Sequence, residues 1–239
     1  MAQPVSLLHT SDCHLGSDSR GREERAFESA VDFAIARSVD LFVIAGDLFD
    51  DTRLPDGLLS WALAQLARLE CPVTLMPGNH DAHEQGAVYS DFMSESRGTN
   101  IHTLADESGS YVDLDQDGIS VWGKALVQHT PEFRPLGGMP KRRNGNWHIA
   151  LGHGYVQNTN LSNGRSSPIL PDELEQADCD YIALGHCHVF RDVTSGGGPP
   201  AFYSGATASS REGRAGVILV ELAEGHPTDV SWRELPSNG

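Results

Sequence analysis

Three short apolar runs early in the chain end in the same way, and this repetition limits the possible fold more than any other feature. Val5 to Thr10, Asp40 to Ala45 and Pro72 to Leu75 each lead into a Ser or Gly exit carrying acids, amides or imidazoles. The exits read Ser11-Asp12-Cys13-His14-Leu15-Gly16, Gly46-Asp47-Leu48-Phe49-Asp50 and Met76-Pro77-Gly78-Asn79-His80-Asp81. Glu23 to Arg37 sets Phe27, Ala30, Val31, Ala34 and Ile35 at helical spacing, and Leu58 to Leu69 is a second helix rich in Leu and Ala. The order is therefore β-α-β-α-β. Right-handed crossovers put all three strand exits on one edge of a parallel sheet, the edge where open α/β sheets place their chemistry. The unbroken apolarity of Leu41 to Ala45 fits a strand buried on both faces.

The rest of the chain repeats the exit with histidine. Trp147 to Leu151 ends at Gly152-His153-Gly154, and Asp180 to Leu184 ends at Gly185-His186-Cys187-His188. Ala87 to Ser94 reads as one or two helical turns and Pro171 to Ala177 as a short helix. Short strands are expected at 101–104, 111–114 and 119–122, with a hairpin turn at Asp115-Gln116-Asp117-Gly118. Ala201 to Ser204, Val217 to Leu222 and Thr228 to Glu234 close the chain as strands. The segment 126–146 is loop-like, and its basic cluster Lys141-Arg142-Arg143 reads as a solvated face rather than a phosphate contact.

The exit residues Asp12, His14, Asp47, Asn79, His153, His186 and His188 are oxygen and imidazole donors without a thiolate. That set suits Mn²⁺, Fe or Zn²⁺ in a reactive centre better than a structural cysteine site. Seven side chains exceed the needs of one ion. If Asp47 bridges, they divide into Asp12, His14, Asp47 and His188 for one metal, and Asp47, Asn79, His153 and His186 for the other. Two such ions clamp an in-line displacement at phosphorus and generate hydroxide near neutral pH.

Composition narrows the partners. A net charge of −16 opposes polyanions and anionic membranes, yet two divalent cations would leave the centre itself attractive to an anion. No run approaches 18 apolar residues, so no membrane span is expected. Four cysteines without a C-x-x-C pair, and no secretory leader, suggest a reduced cytoplasmic protein.

The ordered blocks D-x-H, G-D-x-x-D, G-N-H-D, G-H and G-H-x-H, spread over residues 5–205, resemble the calcineurin-like metallophosphoesterase superfamily. Within it, the wording at His9 to Gly16, Gly46 to Asp50 and Pro77 to Asp81 is similar to the SbcD-type DNA repair exonucleases. The resemblance implies an α/β fold, a four-layer αββα sandwich of two mixed sheets flanked by helices, and two divalent ions with Mn²⁺ first. It implies that His80 contacts the phosphate and protonates the leaving oxygen. Asp81 is then expected to orient His80, Asp50 to support the metal shell, and Arg165 and Arg53 to be candidate substrate contacts. The expected activity is phosphodiester hydrolysis on a phosphate-ester substrate, nucleotide or nucleic acid included. The alternatives are an SbcD-like nuclease without its cap, a phosphomonoesterase, or a scaffold that keeps the fold without catalysis. One catalytic domain over 1–239 is expected, with no capping domain and no segment for an ATPase partner.

Overall fold

The computed structural model describes residues 3–17, 21–82, 87–114, 116, 118–128, 130–142, 144–157, 167–209 and 213–236. Its first half is the predicted crossover pattern. Strands β1 (Val5–Thr10), β2 (Leu41–Ala45), β3 (Val73–Met76) and β4 (Ile101–Thr103) lie side by side and parallel. Helices α1 (Arg22–Arg37), α2 (Leu58–Leu66) and α3 (Ala87–Glu95) connect them. The last two strands, β13 (Gly216–Leu222) and β14 (Asp229–Glu234), return antiparallel beyond β1.

A second sheet is built to the same plan. Strands β6 (Ile119–Gly123), β7 (Trp147–His153), β10 (Tyr181–Gly185) and β12 (Ala201–Tyr203) are parallel. One edge carries β5 (Ser110–Leu114), antiparallel to β6, and the other carries β11 (Arg191–Asp192), antiparallel to β12. Leu114 pairs with Ile119, the register expected of a hairpin; Asp115 and Asp117 of its turn lie outside the described residues.

Side-chain alternation explains why the central strands are apolar without interruption. Along β2, Leu41, Val43 and Ala45 point between the sheets, while Phe42 and Ile44 pack under the helices. Along β10, Tyr181 and Ala183 point inward, and Ile182 and Leu184 pack outward beneath α4 (Pro171–Gln176). A strand covered on both faces has no polar face to show. The result is a four-layer αββα arrangement with three apolar cores.

Two differences from the sequence reading have simple causes. Strands β8 (Tyr155–Val156) and β9 (Pro168–Ile169) form a small parallel pair, too short to show periodicity. The 141–143 cluster is not a uniform solvated face: the Arg142 guanidinium grips Asp180 at 3.0 and 2.9 Å, and its backbone N–H donates to Asp178 at 3.1 Å. Arg143 lies outside the described residues. No described helix is long and apolar enough to cross a membrane.

A side-chain pair ties the two sheets across their shared core. His9 on β1 and Tyr181 on β10 are both fully buried, and His9 Nδ1 lies 2.9 Å from the Tyr181 hydroxyl. Burial pushes the His9 imidazole down to about 3. An unfolded histidine binds its proton near pH 6.5, so the folded chain loses stability as pH falls from 6.5 towards 3. Urea unfolding should therefore give a lower stability at pH 4.5 than at pH 7, and His9→Phe should shrink that difference. Equal pH differences in the two proteins would mean that His9 is not buried in its neutral form.

Candidate metal centre

Because the strands of both sheets run parallel, their carboxyl ends bring distant sequence blocks together. Asp12 and His14 follow β1, Asp47 follows β2, and Asn79 and His80 follow β3. His153 ends β7, and His186 and His188 follow β10. The backbone is bent hard to aim them. Asp12, His14, Asp47 and His186 all have positive φ, at 50, 49, 53 and 93°, and among the described residues only Ser38 and Ser167 join them outside glycine. Such conformations cost about 1–3 kcal/mol each and concentrate at functional sites. Close packing explains the glycines beside them. A Cβ on Gly78 would lie 2.1 Å from Asp47 Oδ1, and one on Gly46 would lie 2.2 Å from His153 Nδ1.

The donor atoms form two groups. In one, His14 Nε2 faces His188 Nε2 at 3.2 Å, and His188 Nε2 is 3.6 Å from Asp12 Oδ1. His14 Nε2 stands 4.0 Å from Asp47 Oδ2. In the other, His153 Nε2 lies 3.0 Å from Asn79 Oδ1 and 3.3 Å from Asp47 Oδ2, and His186 Nδ1 lies 2.8 Å from Asn79 Oδ1. Asp12, His14 and His188 can converge on one point, as can Asp12, Asp47 and His153. Ligands held about 2.1 Å from one ion at right angles are about 3.0 Å apart, close to the 2.8–3.6 Å between neighbouring donors within each group here.

The groups behind these atoms orient them. His153 Nδ1 donates to the Ala45 carbonyl at 2.8 Å, which leaves Nε2 facing two oxygen acceptors. His14 Nδ1 lies 3.0 Å from Asp50 Oδ1 without hydrogen-bond geometry, so this carboxylate acts on the ring through its charge. Imidazole nitrogens and carboxylates facing each other in a buried site need a proton or a metal ion between them. Burial opposes a charge on His153, but Asp47 and Asp12 outweigh it and raise the imidazole to about 9. Burial would also raise Asp47, but His153 and the His80 N–H hold that carboxyl below its ordinary range. The donors thus fit divalent metal.

The remaining candidates separate. His80 stands at the solvent side with its side chain 43% exposed, its Nδ1 3.1 Å from the Asp50 carbonyl and 3.5 Å from Asp50 Oδ1. The expectation that Asp81 orients His80 is corrected. Asp81 is fully buried and turned inward, accepting from the Gly78 N–H at 2.7 Å, the Phe49 N–H at 3.0 Å and the Tyr89 hydroxyl at 3.0 Å. It ties the β2 and β3 exits together, and Asp50 is the acid beside His80. Burial and the neighbouring Asp47 push Asp81 up to about 6. Arg53 is exposed, and its backbone N–H caps Asp51 at 2.9 Å. Arg165 lies outside the described residues. A cleft of about 200 Å³ over the centre is lined by Asp12, His14, Asp50, His80 and His188, together with Arg22. Arg22 went unnoticed in the sequence because nothing there links the start of α1 to this rim.

The sandwich, with imidazoles and carboxylates delivered to one rim, defines a class, the metal-dependent phosphoesterases. The chain belongs to the calcineurin-like phosphoesterase family, whose model matches residues 5–190. It is 27% identical over 257 residues to the DNA double-strand break repair protein Mre11 of Thermoplasma acidophilum, covering 91% of this chain and 62% of that protein. It is also 27% identical over 261 residues to the uncharacterized metallophosphoesterase YhaO of Bacillus subtilis, covering 97% and 60%. The chain thus spans about three fifths of the length of these relatives. The crystal structure of a dimetal phosphatase from Danio rerio shares the fold, with a TM-score of 0.65 at 13% identity and 97% of each chain covered.

Gly78→Ala should force Asp47 aside and weaken Mn²⁺ binding by about tenfold or more in a calorimetric titration, the scale of losses when a ligand's support is disturbed. Gly145→Ala, where a Cβ meets nothing within 4 Å, should bind like the parent. Equal affinity in the two variants would show that Gly78 does not set the Asp47 position.

Proposed function

We propose that the protein is a dinuclear metal-dependent phosphodiesterase. The observation that carries this reading is the pair of donor groups meeting at Asp47, whose Oδ2 lies 3.3 Å from His153 Nε2 and 4.0 Å from His14 Nε2. Asp12, His14, Asp47 and His188 would hold one ion, and Asp47, Asn79, His153 and His186 the other, with Mn²⁺ the first candidate. Divalent ions held there neutralise phosphoryl oxygens and make water acidic enough to attack phosphorus.

The chain's own residues do the rest. Asp12 is kept in place by the His186 N–H, which donates to its two oxygens at 3.0 and 3.1 Å. Asp47 is steadied by the His80 N–H at 2.9 Å, so the metal set and the acid–base residue are coupled through one backbone bond. His80 Nδ1 faces the Asp50 carbonyl. Its Nε2 then remains to contact the phosphate and pass a proton to the leaving oxygen, the work of a general acid. Asp50 Oδ1 lies 3.0 Å from His14 Nδ1 and 3.5 Å from His80 Nδ1, so one carboxylate stands beside both rings.

A diester is preferred because the relative at 27% identity is named for DNA double-strand break repair. The second reading, an SbcD-like nuclease, rests on the same relative. Mn²⁺-dependent turnover of bis(p-nitrophenyl) phosphate, p-nitrophenyl phosphate and single-stranded DNA separates the diesterase, monoesterase and nuclease readings. His80→Ala should lower turnover of the preferred ester by more than about 100-fold, the scale of general acid catalysis, and keep the parent's metal content by elemental analysis. Loss of an ion in that variant would place His80 among the ligands and overturn its assignment.

A further inference from the structure

Cys187 stands between His186 and His188, and it also lines a second cavity of about 520 Å³ at the same strand ends. Tyr155, two residues past His153, is another wall, with Val156, Leu174, Arg191 and Tyr203. The size and the mixed apolar and polar lining match a small-molecule site. Its floor is fixed. The Tyr203 hydroxyl donates to the Gly154 carbonyl at 2.7 Å and accepts from the Val156 N–H at 2.8 Å. Arg191 pairs directly with Tyr203 across β11 and β12, so the two side chains share one face of the ladder.

The charge of Arg191 is the informative feature. This chain has 33 acidic residues against 17 basic ones, and the arginines lining other cavities are tied to carboxylates, Arg22 to Glu23 and Arg68 to Asp32. The Arg191 guanidinium makes no ion pair among the described residues, although it is exposed at a cavity wall. It lies three positions after His188, so their Cα atoms are at most about 11 Å apart. A long side chain at that distance reaches a group attached next to the scissile phosphate.

Resting on the phosphodiesterase reading, we propose that this cavity is a substrate subsite for a nucleotide chain. Arg191 binds the phosphate next to the scissile one, and the aromatic and aliphatic wall receives the nucleoside between them. Arg191 is then a specificity-determining residue that favours diesters carrying a second phosphate.

The probe is a thymidine dinucleotide with a non-hydrolysable methylenephosphonate link, with and without a 5′-terminal phosphate, titrated calorimetrically into the Mn²⁺-loaded protein. The parent should bind the 5′-phosphorylated analogue about tenfold more tightly, the scale of one charge-assisted contact. Arg191→Gln should erase that preference without changing affinity for the unphosphorylated analogue or the melting temperature. Val193→Trp, which fills the cavity, should weaken both analogues. Equal affinity of the parent for the two analogues, or a preference that survives Arg191→Gln, overturns the subsite. If the parent also binds no metal and cleaves no ester, the phosphodiesterase reading fails with it; turnover of bis(p-nitrophenyl) phosphate with equal analogue binding removes the subsite alone.

Discussion

A buried conflict between electron pairs governs the rim of this protein. His153 is locked by the Ala45 carbonyl so that its second nitrogen faces Asn79 and Asp47, and His14 and His188 turn nitrogens towards each other. Left alone, such an arrangement is unfavourable; a cation at its middle makes it favourable. The rest of the structure works to hold the conflict in place. Left-handed backbone at Asp12, Asp47 and His186 aims the side chains, Gly46 and Gly78 let them approach, and Asp81 clamps two strand exits from behind. Two well-packed sheets joined by the His9–Tyr181 tie supply the rigidity that such strain requires.

Much of this was legible in the sequence because the parallel strands are short, apolar on both faces and punctuated by glycine. Leu41 to Ala45 announces a strand buried twice over, and the Gly46-Asp47 that follows announces an exit. The same reasoning picks out the candidate donors, since each sits within four residues of a strand end. Long-range partners were not legible. Nothing near Asp81 in the chain shows that Tyr89 and the Phe49 N–H hold it, and the sequence offers only its neighbour His80 as a partner. The Asp180 partner of Arg142 was hidden for the same reason. The β8–β9 pair was too short to carry any pattern. That Arg191 makes no ion pair among the described residues is likewise a property of the folded surface and not of its sequence surroundings.

The chain's net charge of −16 and a phosphate-ester substrate look incompatible only if charge is averaged over the molecule. Acidic groups on the surface act through water and salt and fade within about 10 Å. The proposed centre concentrates positive charge in a small cleft, and Arg191 adds to it on one side. An anion is then drawn to one place and discouraged elsewhere, which suits a short phosphodiester better than a long groove on a polyanion.

The most direct test of a shared, Asp47-centred pair of ions is anomalous diffraction at the manganese absorption edge from crystals grown with Mn²⁺. The proposed centre predicts two peaks about 3.5–4 Å apart, with Asp47 touching both. A single peak, or two peaks with Asp47 bound to only one of them, would contradict it.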